Sequence, residues 1–304
     1  MAPKRAFAGW GQALWPWLVL VAAVAAHAQP LLCDYCRRVI TGPYLVYEGR
    51  NLHDRCYYDH FAKYCGICRA ALSGQYLTNS WGDAVCAVHL GEYPTCEYCD
   101  RLVAEPLTGH GAHYPDGRNV CGRCESSAAG DLHEACALLD TAQQELRRLG
   151  IEIDRELELV PIDKLRMLEV NSAIGKEAWG YTDFKQTVSL FGLMKSEQIT
   201  IYVLSRLPRT LLLGVLAHEL MHVWLYANAP ADIDPGLCEG SCEYAAHLVL
   251  QPRPDPYVKF LQEARETSED LVYGTGFRAV RDYANGVGAA AWLRYLKGHS
   301  GPPW

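Results

Sequence analysis

Hydrophobic positions in the later part of this 304-residue chain fall into two periods, one helical and one extended. From Ser126 to about Leu149, Leu132, Ala135, Leu138, Leu139, Ala142 and Leu146 recur at helical spacing and predict one helix. Leu157 to Ile162 predicts a short strand, and Asp163 is placed to cap a helix running through Leu168. Gly175 to Lys185 is irregular and aromatic. Ile199-Thr200-Ile201-Tyr202-Val203-Leu204 is the strongest strand pattern. It is either a sheet edge that binds a peptide by strand addition or plain core. Pro208 should open the next helix, whose residues Leu211, Leu212, Leu213, Val215 and Leu216 lead into His218 and whose Val223, Trp224 and Leu225 follow His222. Asn228, Pro230, Asp232, Asp234, Pro235 and Gly236 read as a stop and a loop, and a second helix runs from near Pro235 to about Leu250. Tyr257 to Lys297 is mostly helical with a turn around Tyr273-Gly274-Thr275-Gly276. The class is α+β, mainly helical with a small sheet.

The leading end has a different pattern. Lys4 and Arg5 precede an apolar run from Leu14 to Ala26, and Ala26-His27-Ala28 presents small residues where a signal peptidase reads. Residues 1–28 are therefore expected to be a signal peptide cleaved before Gln29, giving an exported protein, periplasmic or secreted. The alternative is an uncleaved membrane anchor, since Trp10, Trp15 and Trp17 lengthen the apolar region. A net charge of −7 gives no electrostatic footprint for nucleic acid, and none is expected as a partner.

The apolar flanks change the reading of the polar residues they enclose. His218-Glu219-Leu220-Met221-His222 puts two imidazoles one turn apart on one helix face, where both can ligate a zinc ion, with Glu219 beside them as catalytic acid/base. Two histidines and a glutamate inside an apolar helix would be costly without a metal to pair them. Glu239, separated from His222 by sixteen residues, is the candidate third ligand. On the same predicted helix Glu243 either orients a ligating imidazole or is solvated, and His247 either stabilises an oxyanion or packs. Tyr273 and Arg278 carry the same two readings, oxyanion stabiliser or packed turn.

Thirteen cysteines in an exported chain would ordinarily indicate disulfides. Their spacing indicates zinc. Cys33 and Cys36 precede His53 and Cys56; Cys65 and Cys68 precede Cys86 and His89; Cys96 and Cys99 precede Cys121 and Cys124. Each group offers two close pairs of ligands, the arrangement of a closed structural zinc site, and disulfides give no reason for histidine in the first two groups. Residues 29–126 are thus three zinc modules and residues 127–304 a second domain, with one catalytic and three structural zinc ions. Cys136, Cys238 and Cys242 are left over, as buried thiols or with one of the latter two paired to Cys136.

Cysteine-rich modules leading into a helix, then Leu207-Pro208-Arg209, Leu216 to Trp224 around the two histidines, Glu239-Gly240 with Cys242, Ala246 and His247, and Val272 to Arg278, resemble the DA-one family of plant LIM-containing peptidases. The resemblance runs from about Leu32 to Gly298. It implies a gluzincin-like zinc metallopeptidase with His218, His222 and Glu239 as ligands and Glu219 as acid/base, acting on a protein or peptide substrate. It also implies LIM-like modules that serve structure or bind a protein partner. Eight residues separate the first two groups and six the next two, so the array resembles half a LIM domain followed by a two-site LIM-like segment. The acidic ubiquitin-interacting helices of the plant proteins have no counterpart in this reading, which makes ubiquitin a doubtful partner. The alternative function is a protein-interaction adaptor whose peptidase-like domain is not proteolytic.

Overall fold

The computed structural model describes residues 10–12, 30–172, 178–188 and 195–304. Lys4, Arg5 and the Ala26-His27-Ala28 cleavage region expected above lie outside the described residues. Trp10–Gln12 (β1) pairs antiparallel with Gln75–Thr78.

Three small modules come first. The first holds the hairpin β2 (Tyr44–Tyr47) and β3 (Arg50–His53) followed by α1 (Asp54–His60). The second holds β4 (Gln75–Thr78) paired with β5 (Ala84–Cys86). The third holds α2 (Glu105–Thr108), β6 (Ala112–His113) paired with β7 (Asn119–Val120), and α3 (Gly122–Ser126). All three open on the same turn. The residue after the second cysteine of each leading pair is left-handed, with φ of 61° at Arg37, 62° at Arg69 and 58° at Asp100. Its N–H donates back to the first cysteine's carbonyl, at 2.8 Å for Arg37–Cys33, 3.0 Å for Arg69–Cys65 and 3.2 Å for Asp100–Cys96. A side chain in that conformation costs roughly 1–2 kcal/mol. The turn reverses the chain behind the pair and leaves both thiols on one side.

The remaining chain is one unit of helices on a three-stranded sheet. It comprises α4 (Leu132–Arg148), β8 (Glu158–Ile162), α5 (Lys164–Val170), β9 (Gly180–Val188), β10 (Lys195–Leu204), α6 (Arg209–Asn228), α7 (Pro235–Leu250), α8 (Pro256–Glu266), α9 (Gly274–Val287) and α10 (Ala289–Gly298). Asp131, Asp163, Asp234 and Asp255 cap α4, α5, α7 and α8 by accepting from backbone N–H groups in the first turn. The strand order is β8-β10-β9, with β10 parallel to β8 and antiparallel to β9. Ile199–Leu204 is therefore central, buried at Ile199, Ile201, Val203 and Leu204, and is not the edge that could accept a peptide strand. The edge is β9. The described part of the segment read as irregular is thus a strand, with the β-formers Thr182 and Phe184 alternating along it. The expected turn at Tyr273 to Gly276 is displaced too: Tyr273 is the N-cap of α9, and the break lies before it.

Among the described residues, α6 is the one helix long and apolar enough to cross a membrane. In the fold it is the central core helix, buried from Leu211 to Ala217 and again at Leu220, Met221, Val223 and Trp224. The third module shares this core, since Tyr98, Cys99, Val120 and Cys121 pack in the same cluster as Leu146, Leu216 and Leu220. Buried Arg118 ties the two together by pairing with Asp116 at 2.8 Å and donating to the Ser205 carbonyl at 2.8 Å. The Tyr257 hydroxyl donates to the Tyr98 carbonyl at 2.8 Å. The first module has only a small core of its own, around Cys33, Ile40 and Leu52, and the second has one around Cys65, Leu77 and Val85 that Leu102 and Ala104 of the third module complete.

Candidate active site and metal centres

Each module brings its four predicted ligands together. The donor atoms of Cys33, Cys36, His53 and Cys56 all lie within 4.8 Å of one another, as do those of Cys65, Cys68, Cys86 and His89 and those of Cys96, Cys99, Cys121 and Cys124. A tetrahedral zinc with bonds of about 2.3 Å spaces its sulfurs by about 3.8 Å. The Cys68–Cys86 and Cys99–Cys121 sulfurs stand 3.8 and 3.6 Å apart. None of the thirteen cysteines is in a disulfide. The Cys65 sulfur accepts from the N–H groups of Ile67, Cys68 and Cys86 at 3.4–3.5 Å. Burial opposes its ionisation, but these hydrogen bonds outweigh it and hold the thiol at about 6. Each histidine is fixed in the required tautomer. His53 Nε2 donates to the Val39 carbonyl at 3.3 Å, leaving Nδ1 facing Cys36 at 3.4 Å. His89 Nδ1 meets Glu92 at 2.7 Å, while its buried Nε2 has no hydrogen-bond partner. A metal is the natural partner of such a nitrogen.

A fourth site lies between α6 and α7. Spacing on α6 stacks His218 over His222, and the facing turn of α7 carries Glu239. The two Nε2 atoms are 3.1 Å apart, and Glu239 Oε2 is 3.2 Å from one and 3.4 Å from the other. Zinc–nitrogen and zinc–oxygen bonds of about 2.0–2.1 Å give tetrahedral ligand spacings of about 3.3–3.4 Å, so this triangle has the dimensions of three ligands on one ion. Although close to both nitrogens, Glu239 Oε2 is buried without a directed hydrogen bond. The Cys242 thiol also lies within 4.8 Å of a donor atom of each histidine. Burial, and then Cys238, push its pKa well above the ordinary range.

The surroundings orient both rings. His218 Nδ1 faces Glu243 Oε1 at 3.3 Å, and Glu243 Oε2 accepts from Arg265 Nε at 2.6 Å. His222 Nδ1 faces the Cys238 sulfur at 3.8 Å. The neighbouring Cys242 thiol, against the opposing effect of burial and with help from His222, holds Cys238 at about 5. A thiolate therefore does for His222 what a carboxylate does for His218. Burial works against protonation of His218, but Glu239 and Glu243 outweigh it and raise its pKa to about 9. Burial likewise opposes ionisation of Glu239, and the two imidazoles overcome it and hold the carboxyl well below its usual range. An ionised carboxylate between two proton-binding imidazoles is a place where a divalent cation can replace protons.

Glu219 points from α6 toward β9 and is buried, with Thr182 Oγ1 donating to its Oε2 at 2.7 Å. Gly180, two residues earlier on the same strand face, makes that approach possible. A Cβ there would lie 2.7 Å from Glu219 Oε1 and 2.6 Å from Val215 Cγ1. These residues line a cleft of about 360 Å³ with His218, His222, Glu239, Glu243, Arg265 and Tyr273. The Tyr273 ring lies near-parallel to His218, 16° between planes and 6.4 Å between centroids. Burial, reinforced by Glu239 and Glu219, raises its pKa, so the hydroxyl keeps its proton. His247 and Arg278 are not among the cleft-lining residues. His247 hydrogen-bonds Gln262 and packs between Tyr244 and Phe277. Arg278 donates to the Glu266 and Ser268 carbonyls at 3.0 and 2.8 Å and staples the entry to α9. Three residues bearing on the site escaped sequence reasoning: Thr182, Arg265 and Cys238. Thr182 lies in a segment that reads as irregular, and nothing local marks Arg265.

The fold and its sites thus define a mixed helix-and-sheet protein with three Cys/His clusters able to hold zinc and a fourth two-histidine, one-glutamate centre. The family model described as "DA1-like: Protein DA1" matches residues 185–255, the span that contains α6 and α7. DA1-related 7 of Arabidopsis thaliana is 24% identical over 319 residues, covering 84% of this chain and 56% of its own length. The LIM domain-containing protein HDR3 of Oryza sativa subsp. japonica is 26% identical over 259 residues, 70% of this chain and 50% of that protein. Protein DA1 of Arabidopsis thaliana is 23% identical over 335 residues, 89% and 63% respectively. The chain spans roughly half to two-thirds of the length of these curated relatives. No solved structure matches it. The matches support a DA1-like relationship for this chain, and one of these relatives is named for its LIM domain.

Proposed function

We propose that this protein is a zinc-dependent peptidase with a gluzincin-like catalytic unit over residues 127–304, exported with residues 1–28 removed. The observation that carries the reading is the His218, His222 and Glu239 triangle with Glu219 held beside it by Thr182. These three residues would hold the catalytic zinc, which when bound supplies a Lewis acid that polarises a carbonyl and acidifies water. Glu219 takes the proton from the attacking water and passes it to the leaving amine. Thr182 fixes the carboxylate for both transfers, and the second carboxylate oxygen remains to receive the proton. Tyr273, kept protonated by burial, donates to the oxygen on which charge develops. Glu243 and Cys238 hold the two imidazoles in register. The free edge of β9, whose residues Gly180 and Thr182 face Glu219, offers main-chain groups to an extended peptide. The three Cys/His clusters would carry structural zinc, and the first two modules would present a surface for a protein partner.

The test is digestion of casein and of a mixed peptide library by the full chain. The expected result is new peptide termini that disappear with a chelator and return with added zinc. Fully zinc-loaded protein that cleaves nothing, yet binds protein partners through its modules, would favour a non-proteolytic adaptor.

A further inference from the structure

None of the described residues from Cys65 to His89 lines the cleft, yet one side chain of this second module reaches two of the cleft's walls. Trp81 stands at the tip of the β4–β5 hairpin, whose last residue is the proposed zinc ligand Cys86. The tip is built by its own side chains. Asn79 Oδ1 accepts from the N–H groups of Trp81 and Asp83 at 3.1 and 3.0 Å, and Gly82 supplies the left-handed residue of the turn with φ of 79°. The indole ring stacks on Phe260 and Tyr257 of α8, with centroids 5.1 and 5.8 Å away and planes 28° and 24° apart. Its N–H donates to the Cys99 carbonyl, in the zinc turn of the third module, at 2.8 Å. The Arg101 guanidinium lies 5.4 Å from the ring centroid and grips Asp83 through two hydrogen bonds of 2.6 Å. A bidentate pair of this kind, with both side chains nearly buried, fixes the hairpin tip against the third module in one geometry. Both partners of the ring belong to cleft walls. Phe260 lines the cleft from α8, and Tyr98 and Asp100, the neighbours of Cys99, line it from the third module.

We propose that Trp81 is a positioning residue for the cleft, through which metal loading of the second module at Cys65, Cys68, Cys86 and His89 sets the placement of α8 and of the turn at residues 96–100. The use of peptide cleavage as one readout rests on the peptidase reading; the coupling itself does not. Stacked aromatic pairs add to the area they bury, and an indole N–H is satisfied only while its acceptor stays in place, so the ring holds α8 and the turn together as one face. The hairpin that carries the ring is anchored at its base by Cys86. Loss of that anchor withdraws the ring from both walls, without touching His218, His222 or Glu239.

The test uses the full zinc-loaded chain and reads hydrogen exchange at α8 and at residues 96–100, with α6 and α7 as the internal reference. Zinc content and the KM and kcat of peptide cleavage are measured beside it. Trp81→Ala should keep the parent's zinc content, show protection about tenfold or more lower at α8 and the turn, and raise KM about 3–30-fold with kcat within about twofold. Trp81→Phe keeps a ring on Phe260 and Tyr257 and gives up only the N–H bond, so it should recover most of both. Cys86→Ser should lose one zinc and loosen α8 in step. Parental protection or parental KM in Trp81→Ala, loss of its zinc, equal damage in Trp81→Phe, or anything but the joint loss in Cys86→Ser overturns the coupling. A parent chain that cleaves nothing overturns the peptidase reading instead, and the exchange pattern then decides the coupling by itself.

Discussion

The first two modules and the helical unit reach order by different routes. In the modules, a few buried side chains such as Ile40, Leu52, Leu77 and Val85 surround the ligand clusters, and the turns at Arg37 and Arg69 are conformationally costly. In the helical unit, α6 is enclosed by α4, α7, β9 and β10, and the His218, His222 and Glu239 site sits on a large apolar core. On the reading proposed above, metal binding would supply folding free energy in one region and chemistry in the other. The third module lies between these extremes. Its cluster is as complete as the others, yet Tyr98, Cys99 and Val120 belong to the large core, and Arg118 and Tyr257 lock it to the helical unit.

The largest effect expected from this contrast is on chelation. Stripping metal should unfold Cys33 to His89 while α4, α6 and α7 stay protected, with Cys96 to Cys124 losing protection last among the modules. Hydrogen exchange with and without a chelator checks this. Uniform loss of protection across the chain would erase the distinction between the two regions. Elemental analysis of the intact chain should return four zinc ions.

A smaller effect is expected at Gly180, where strand and helix meet. Gly180→Ala places a methyl within 3 Å of both Glu219 and Val215. Because the end of the Glu219 side chain can shift, the cost should fall on function: cleavage down about tenfold or more through misplacement of the acid/base, and stability down by about 1–3 kcal/mol from overpacking. Kinetics and denaturant unfolding of the variant measure both.

The smallest effect is in pH. In the metal-free chain the His218 pKa is raised from 6.5 to about 9, so the folded state binds that proton more tightly than the unfolded state. The associated stability is complete below about pH 6.5 and is lost as pH rises through about 9. Denaturant midpoints of the chelated protein should fall across that window, and zinc affinity should rise across it as protons cease to compete. A midpoint independent of pH between these values would contradict the carboxylate–imidazole arrangement.

Much of this was legible in sequence because the decisive signals are local. Spacings of three and four residues on α6 and α7 placed His218, His222 and Glu239, and paired cysteines with His53 and His89 marked the clusters. Helix boundaries at Pro208, Pro235 and Leu250 followed from capping and proline chemistry. What was not legible depends on tertiary neighbours. The aromatic segment around Gly180 reads as irregular until β10 pairs with it, and the strong β-pattern of Ile199–Leu204 cannot say whether it is central or at an edge. Arg265 acquires its role by meeting Glu243 across a loop, and Cys238 by facing His222, contacts that no periodicity announces. His247 shares a helix face with Glu243 but finds Gln262 and Phe277 instead of the cleft.

The most direct test separates holding the metal from using it. Glu219→Gln preserves the side chain's size and its contact with Thr182 while removing its basicity, and Glu219 is not one of the three proposed ligands. Zinc content should stay at four per chain while peptide cleavage falls by about 10²–10⁴, whereas His222→Ala should lose the fourth zinc together with activity. Cleavage by Glu219→Gln at close to the unmodified rate would contradict the account.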